Sequence, residues 1–237
     1  MNPKVIILAG GLGTRLKDVI GDLPNPLAPV GDRPFLEYII KFISTQGFND
    51  IIISCGHRAE TFKDYFGHGS DLGLRITYTV EEDLLGTGGA IRFAEPLIDF
   101  GDFIVASGDT YFEVDLRDLM EFHKAREAIA TIALVHKKDA SRYGSVVMDD
   151  DNAITAFIEK SDEKEAGNIN GGIYVFKREI FDYIPTDKVC SLETEILPLL
   201  IGKGLYGFPV DGYFIDIGVP EDYERAKKEL PLRGILL

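Results

Sequence analysis

Short runs of apolar residues alternate along the chain with segments whose apolar residues recur at helical spacing. Residues 5–8 contain no polar position, which is typical of a strand buried on both faces of a sheet. Apolar residues at 35, 36, 39, 40 and 43 predict a helix that ends at Gly47. The same pattern predicts further strands at 51–53, 74–79 and 103–106, and helices at 60–66, 89–97 and, capped by Asp115, up to about residue 126.

The second half of the chain is richer in strand patterns than the first. The predicted strands are 131–136, 143–148, 154–158, 172–176 and 213–217, and the predicted helices are 177–183, 193–202 and 220–230. No repeat, low-complexity tract or linker rich in Pro and Ser divides the chain. We therefore expect an α/β fold with a mixed, mostly parallel, Rossmann-like sheet flanked by helices. It forms a single domain over residues 1–230, with two lobes at about 1–130 and 131–230 and a loose tail at 231–237.

The composition excludes several classes of protein. The net charge of −14 argues against a broad basic face for nucleic acid and against binding to an anionic membrane surface. Two cysteines and four histidines are too few and too scattered for a disulfide framework or a zinc cluster. The first apolar run is too short for a signal peptide or a membrane span, so a cytoplasmic location is expected. No heptad or long exposed apolar stripe is evident, which leaves a homo-oligomer open.

A glycine-rich loop directly follows the first predicted strand. Leu8 and Ala9 lead into Gly10, Gly11 and Gly13, and then Thr14 and Arg15. Glycines let the backbone approach a ligand closely and present N–H groups to phosphate oxygens, and an arginine adds a charged fork. A Walker loop is excluded because no Gly-Lys-Ser/Thr follows. A dinucleotide fingerprint, and with it an NAD-dependent oxidoreductase, is disfavoured because the third glycine is replaced by Leu16 and no acidic residue ends the second strand.

Together with later motifs, this loop resembles the sugar-phosphate nucleotidyltransferases. The matching segments run in order along nearly the whole chain: 8–16, 23–30, 34–36, 85–90, 107–110, 159–160, 170–174 and 216–218. Within that family, residues 108–115 and 169–176 are most similar to the bacterial D-glycero-α-D-manno-heptose 1-phosphate guanylyltransferases. The resemblance implies the nucleotide-diphospho-sugar transferase type of fold, with a nucleotide lobe at 1–130 and a sugar-phosphate lobe at 131–230.

The implied reaction joins a nucleoside triphosphate to a sugar 1-phosphate. A phosphate oxygen of the sugar attacks the α-phosphorus and pyrophosphate leaves, so the nucleophile is already an anion and needs no general base. The expected substrates are GTP and the heptose 1-phosphate, the expected product is GDP-heptose for surface polysaccharide, and the expected cofactor is Mg²⁺. Two alternatives stay open: a mannose or glucose 1-phosphate nucleotidyltransferase using another base, and a non-catalytic paralogue that binds nucleotide sugar.

The resemblance also implies roles for individual residues. Arg15, Asn25, Asp109 and Lys160 are the expected catalytic residues, and Asp109 and Asp216 the expected Mg²⁺ ligands. Glu159 and Lys160 would hold the sugar phosphate together with Asn170 and Gly171. The expected nucleotide-binding residues are Leu8, Ala9, Gly10, Gly11, Gly13, Thr14, Arg15, Gly86, Thr87, Gly88, Gly108 and Asp109. Of these, Gly86, Thr87 and Gly88 would wrap the base, and Thr87 could also cap a helix.

The chain departs from the family pattern at position 25. The family places a lysine between the two prolines, where this chain has Asn25 between Pro24 and Pro26. Asparagine can donate a hydrogen bond to a phosphate but cannot neutralise its charge. Three explanations remain: an engineered change that traps substrate, an enzyme of low activity, or a paralogue without turnover.

Overall fold

The computed structural model describes residues 3–11, 16–56, 58–99, 101–160, 165–186 and 188–234. Its strands are β1 Val5–Leu8, β2 Pro29–Val30, β3 Arg33–Pro34, β4 Asp50–Cys55, β5 Arg75–Val80, β6 Phe103–Ser107, β7 Thr110–Phe112, β8 Ala130–Lys137, β9 Ser145–Met148, β10 Ile154–Ile158, β11 Gly167–Phe176, β12 Leu205–Val210 and β13 Phe214–Asp216. Its α-helices are α1 Lys17–Ile20, α2 Phe35–Thr45, α3 Ala59–Phe66, α4 Gly86–Phe93, α5 Leu116–Ala125 and α6 Pro220–Glu229. A π-helical turn at Leu192–Ile196 and several 3₁₀ turns complete the described chain.

The main sheet is mixed, as expected from the sequence. Its strands lie in the order β10-β9-β11-β6-β1-β4-β5. Strand β8 pairs with β11 on one side and with β12 on the other. Strands β6, β1, β4 and β5 are parallel to one another, whereas β11 is antiparallel to β6. The four parallel strands therefore end at the same edge of the sheet, where ligands of α/β proteins bind.

Two apolar layers cover the two faces of this sheet. Val5 and Ile7 point into the layer that contains Phe35 of α2 and Phe62 of α3. Ile6, between them in sequence, points into the opposite layer, which also contains residues of α4 and β6. This alternation explains the continuous apolar run of β1, because both faces of the strand are buried.

Most predicted elements are confirmed, and some boundaries are wrong. Asp115 caps α5 as predicted, because its carboxylate accepts hydrogen bonds from the N–H groups of Arg117 and Asp118. The helix expected from residue 89 begins at Gly86 instead. Strand β12 was not predicted, and β11 begins before its expected start at residue 172.

The predicted tail is anchored where the structure describes it. Leu230 is buried and begins a 3₁₀ turn, so the chain does not leave the fold there. The Arg233 guanidinium donates two hydrogen bonds to the carboxylate of Glu113 and lies 3.9 Å from the ring centre of Tyr213. Among the described residues, none of the helices combines the length and the apolar character needed to cross a bilayer.

One histidine of α5 lies inside the protein. His123 is 1% exposed, and its Nδ1 lies 2.8 Å from Oγ1 of Thr131 in β8. Burial lowers the pKa of the His123 imidazole to about 4, against an opposing effect of Asp102, whose carboxylate lies 3.9 Å from Nε2. The folded protein therefore keeps this ring neutral at a pH where the unfolded chain protonates it.

We expect His123 to make the protein less stable in mild acid. Between its unfolded pKa near 6.5 and about 4, the unfolded state binds one more proton, so the free energy of unfolding falls as the pH falls. Between pH 7 and pH 5 this one group lowers the free energy of unfolding by about 2 kcal/mol. Urea unfolding of the wild type and of His123→Gln at both pH values measures the difference. An equal pH dependence in the two proteins would contradict the assignment.

Candidate active site

A cleft opens where the parallel strands β4, β1 and β6 end. Leu8 of β1 lies beside Ser54 of β4 on one side and Ser107 of β6 on the other. The N–H of Ala9 donates to the Ser54 carbonyl at 2.8 Å, and the N–H of Gly108 donates to the Leu8 carbonyl at 2.9 Å. The glycine-rich loop thus leaves the sheet between two strands that hold its first residues in place.

The cleft encloses about 240 Å³ and collects most of the described residues that were predicted to bind nucleotide. Its lining residues are Leu8, Ala9, Gly10, Gly11, Asn25, Pro26, Ser54, Glu81, Leu84, Gly86, Thr87, Ala90, Ser107 and Asp109. Gly13, Thr14 and Arg15 lie outside the described residues. Gly88 and Gly108 do not line the cleft, although both shape it.

Gly108 shapes the cleft by allowing two strand ends to touch. A Cβ at this position would lie 2.8 Å from the Leu8 carbonyl oxygen and 3.2 Å from the Pro26 ring. Any side chain would therefore push β6 away from β1 and from the segment that carries Asn25. Asp109 follows directly and faces the cleft. The glycine fixes where this carboxylate is presented.

The Gly-Thr-Gly segment is the first turn of α4 rather than a loop ahead of it. Gly86 has a φ of +73°, and a Cβ there would lie 2.5 Å from the Cys190 carbonyl oxygen. Gly88 is buried against Cys190 and donates its N–H to that carbonyl at 3.0 Å. The glycines at 86 and 88 thus let α4 pack against Cys190, while Gly86 and Thr87 face the cleft.

Thr87 does not cap α4, contrary to one prediction from the sequence. The helix has no side-chain cap at its start. The Thr87 hydroxyl instead donates to Glu193 at 2.7 Å and accepts a hydrogen bond from the N–H of Leu192 at 2.8 Å. The hydroxyl hydrogen of Thr87 therefore already has an acceptor within the protein.

The two carboxylates predicted to bind metal come from neighbouring segments: Asp216 ends β13, and Asp109 directly precedes β7. Thr110 of β7 pairs with Asp216 of β13, and the N–H of Ile217 donates to the carbonyl of Asp109 at 3.0 Å. The N–H of Gly218 holds one carboxylate oxygen of Asp216 at 2.7 Å, which orients the other oxygen. In the part of the chain that the structure describes, no cluster of three or more acidic, histidine or cysteine side chains could hold a metal. Two carboxylates suit Mg²⁺, which takes its other ligands from phosphate and water.

The predicted sugar residues lie on two neighbouring parts of the sheet. Asn170 and Gly171 belong to a bulge of β11, which brings Gly172 within contact of Ser107 beside the cleft. Glu159 and Lys160 follow β10 and are exposed. Gly144 packs under them, since a Cβ there would lie 2.6 Å from the Ile158 carbonyl. These two side chains are not part of the cleft lining.

Glu81 is a candidate functional residue that was not predicted from the sequence. Its side chain follows β5, lines the cleft and is 4% exposed. Ser54 donates its hydroxyl to Oε1 at 3.1 Å, and the N–H of Leu85 donates to Oε2 at 2.9 Å. A buried carboxylate held by two donors is a rigid acceptor for a ligand. The sequence signal that could have identified Glu81 is its position just after a predicted parallel strand.

Asn25 in the cleft lining and Cys55 at the end of β4 have distinctive chemistry. Asn25 is 7% exposed, and no described residue donates a hydrogen bond to its Oδ1. Burial raises the pKa of the Cys55 thiol to about 12. Cys55 ends β4 beside the cleft and keeps its proton, so it does not act as a thiolate nucleophile.

Comparison with known proteins shows the family of the chain. The family model described as Nucleotidyl transferase matches residues 4–232. This chain belongs to the nucleotidyl transferase family. The expected fold is confirmed, because nucleotidyl transferases of known structure share it.

Two curated relatives and one solved structure cover nearly all of this nucleotidyl transferase. The D-glycero-α-D-manno-heptose 1-phosphate guanylyltransferase of Aneurinibacillus thermoaerophilus is 42% identical over 96% of this chain and 98% of its own. The mannose-1-phosphate guanylyltransferase of Mycobacterium tuberculosis is 36% identical over 97% of this chain and 65% of its own. The structure of HddC from Yersinia pseudotuberculosis complexed with GMP-PN has a TM-score of 0.84, with 36% identity over 96% of this chain and 99% of that one.

Proposed function

We propose that the protein transfers GMP from GTP to D-glycero-α-D-manno-heptose 1-phosphate, giving GDP-heptose for polysaccharide synthesis and pyrophosphate. The observation that carries the proposal is the 42% identity to a heptose 1-phosphate guanylyltransferase over almost the full length of both chains. The relative named for mannose 1-phosphate is 36% identical, and this chain spans only 65% of it. Mannose 1-phosphate is therefore the second candidate acceptor.

The cleft supplies positioning and charge compensation rather than a proton acceptor. The attacking phosphate oxygen is an anion at neutral pH, so catalysis depends on placing it in line with the leaving pyrophosphate. The backbone of residues 8–11, at the carboxyl ends of parallel strands, would hold phosphates through its N–H groups. Asp109 and Asp216 would hold Mg²⁺, which neutralises phosphate charge when bound. Arg15 and Lys160 remain the proposed cationic contacts.

Glu81 supports guanine as the base. The Watson–Crick edge of guanine presents two adjacent N–H donors, and a carboxylate can accept both. Adenine presents a ring acceptor at the corresponding position, which a buried carboxylate repels. Gly86 and Thr87 lie on the same cleft wall, where their backbone would close over the base.

We expect Glu81→Gln to weaken the preference for GTP. The amide replaces one acceptor oxygen with a donor, so we expect kcat/KM for GTP relative to ATP to fall by about tenfold to a hundredfold. Glu82→Gln, a change at the exposed neighbour, serves as the matched control and should leave the ratio unchanged. An unchanged ratio in Glu81→Gln would exclude this side chain from base selection.

The activity itself is tested with a substrate matrix. GTP, ATP, UTP and dTTP are each combined with the 1-phosphates of the heptose, mannose and glucose, and pyrophosphate release is measured with Mg²⁺ and after chelation. We expect the highest kcat/KM for GTP with the heptose 1-phosphate, and no release after chelation. Turnover of UTP or dTTP with glucose 1-phosphate but none of GTP would overturn the assignment.

Asn25 supports a second candidate function, that of a paralogue that binds nucleotide sugar with little or no turnover. The residue lines the cleft and is buried, so its uncharged amide lies where the family pattern has a cation. Losing a charged hydrogen bond from the transition state costs roughly 1.5–3 kcal/mol, which slows a reaction roughly tenfold to a few hundredfold.

We expect Asn25→Lys to raise the rate of pyrophosphate release roughly tenfold to a few hundredfold without changing the fold. Asn25→Met is the matched control, because methionine is similar in length to lysine but has no charge. It should not raise the rate. Circular dichroism verifies that both variants fold. No increase with Asn25→Lys, or a decrease, would show that position 25 does not limit the rate.

A further inference from the structure

The carboxylate of Glu193 lies between the two segments that line the substrate subsites. It accepts a hydrogen bond from the Thr87 hydroxyl at 2.7 Å, from the Tyr174 hydroxyl at 3.2 Å and from the Ser191 hydroxyl at 3.2 Å. Thr87 belongs to the cleft wall, whereas Tyr174 belongs to β11, which carries the bulge. One side chain thus receives donors from both sides.

The connection continues from Tyr174 to the bulge at residues 170–172. The Asn170 side-chain amide donates to the Tyr174 hydroxyl oxygen at 2.8 Å. The Asn170 Oδ1 accepts the N–H of Gly172 at 2.9 Å, which closes the turn of the bulge. Gly172 in turn lies against Ser107 of the cleft. An unbroken series of hydrogen bonds therefore joins Thr87 to the proposed sugar subsite.

The direction of every hydrogen bond in this series is set by its chemistry. A carboxylate only accepts, so the hydroxyls of Thr87 and Tyr174 must both donate to Glu193. Tyr174 is 1% exposed, and burial raises the pKa of its phenol well above the ordinary value, so it keeps the proton that it donates. Because the Asn170 Oδ1 accepts the Gly172 N–H, its amide NH₂ is the group that faces Tyr174, and it donates to the phenol oxygen. The network has a single consistent arrangement.

A shift at one end of such a network would change the hydrogen bonds along it. Moving Thr87 away from Glu193 would leave a part-buried carboxylate short of a donor, and buried unpaired polar groups are strongly unfavourable. Glu193 lies in a π-helical turn, Leu192–Ile196, a local geometry that is frequent at functional sites. The N–H of Leu192 in the same turn donates to Thr87, so turn and side chain move together.

We propose that Glu193 is a positioning residue that couples the two subsites: nucleotide bound against Gly86 and Thr87 orders the Asn170–Gly172 bulge for the sugar 1-phosphate. The identity of the two ligands rests on the proposed function. Because coupling between binding sites is reciprocal, the sugar 1-phosphate must tighten nucleotide binding by the same factor.

Calorimetry with the unreactive α,β-methylene analogue of GTP and with D-glycero-α-D-manno-heptose 1-phosphate measures this coupling. In the wild type we expect each ligand to tighten the other about fivefold or more, the usual range for coupled sites. In Glu193→Gln the amide presents a donor to either Thr87 or Tyr174, and we expect the factor to fall below about twofold. The affinity for the nucleotide analogue alone should change much less.

Two isosteric variants keep the test independent of the folding of Glu193→Gln. Thr87→Val and Tyr174→Phe each remove one hydroxyl, and each should lower the coupling factor. Because both interrupt one path, the double variant should lose no more coupling than either single variant. Tyr78→Phe is the matched control, since its hydroxyl donates to the Gly67 carbonyl at 2.8 Å, outside this network; its coupling should equal that of the wild type.

The outcomes separate this inference from the proposed function. Independent binding of the two ligands in the wild type, wild-type coupling in Glu193→Gln, or losses that multiply in the double variant would each overturn the coupling role while leaving the activity in place. If neither ligand binds the wild type, both the proposed function and the coupling role are wrong.

Discussion

The close approach of β1 and β6 at their carboxyl ends is the constraint on which the site depends. Gly108 has no side chain, so its backbone lies directly beneath the Leu8 carbonyl and the Pro26 ring. This contact sets the position of the glycine-rich loop, of the segment bearing Asn25 and of Asp109 at the same time. The backbone proposed to bind phosphate, the carboxylate proposed to bind metal and position 25 are therefore fixed relative to one another by close packing around a glycine.

The negative charge of the protein opposes the binding of phosphates at this cleft. The net charge is −14, both proposed substrates are polyanions, and Glu81 and Asp109 line the cleft. Such a site is attractive to phosphates only through directed N–H groups and bound cations. The Glu81 carboxylate is compatible with a cleft that binds phosphates, because both of its oxygens already accept hydrogen bonds, from Ser54 and from the N–H of Leu85.

The parallel core could be predicted from the sequence because strands buried on both faces leave a continuous apolar run. Other parts could not, for physical reasons. Pro209 and Gly207 interrupt the pattern of β12. The strand nevertheless pairs with β8 at an edge of the sheet, with one bridge from Tyr206 to Ala153 on its other side, and a proline is tolerated at an edge. Asn170 and Gly171 look like a turn before a strand that starts at Gly172, but they form a bulge inside β11. Glu81 precedes two more acidic residues, and only the fold shows that it is the buried one.

The roles proposed for position 25 and for the Glu193 network concern different steps, the reaction itself and the binding that precedes it. A cation at position 25 would matter most where charge develops on the phosphates, so its absence affects turnover more than ground-state binding. The Glu193 network carries no positive charge, and its proposed role is to align the walls that would hold base and sugar. On these proposals, a chain that keeps the network intact while carrying Asn25 would still assemble both ligands, even where the rate of reaction is low. Coupled binding and chemical rate would then be separable properties of this fold.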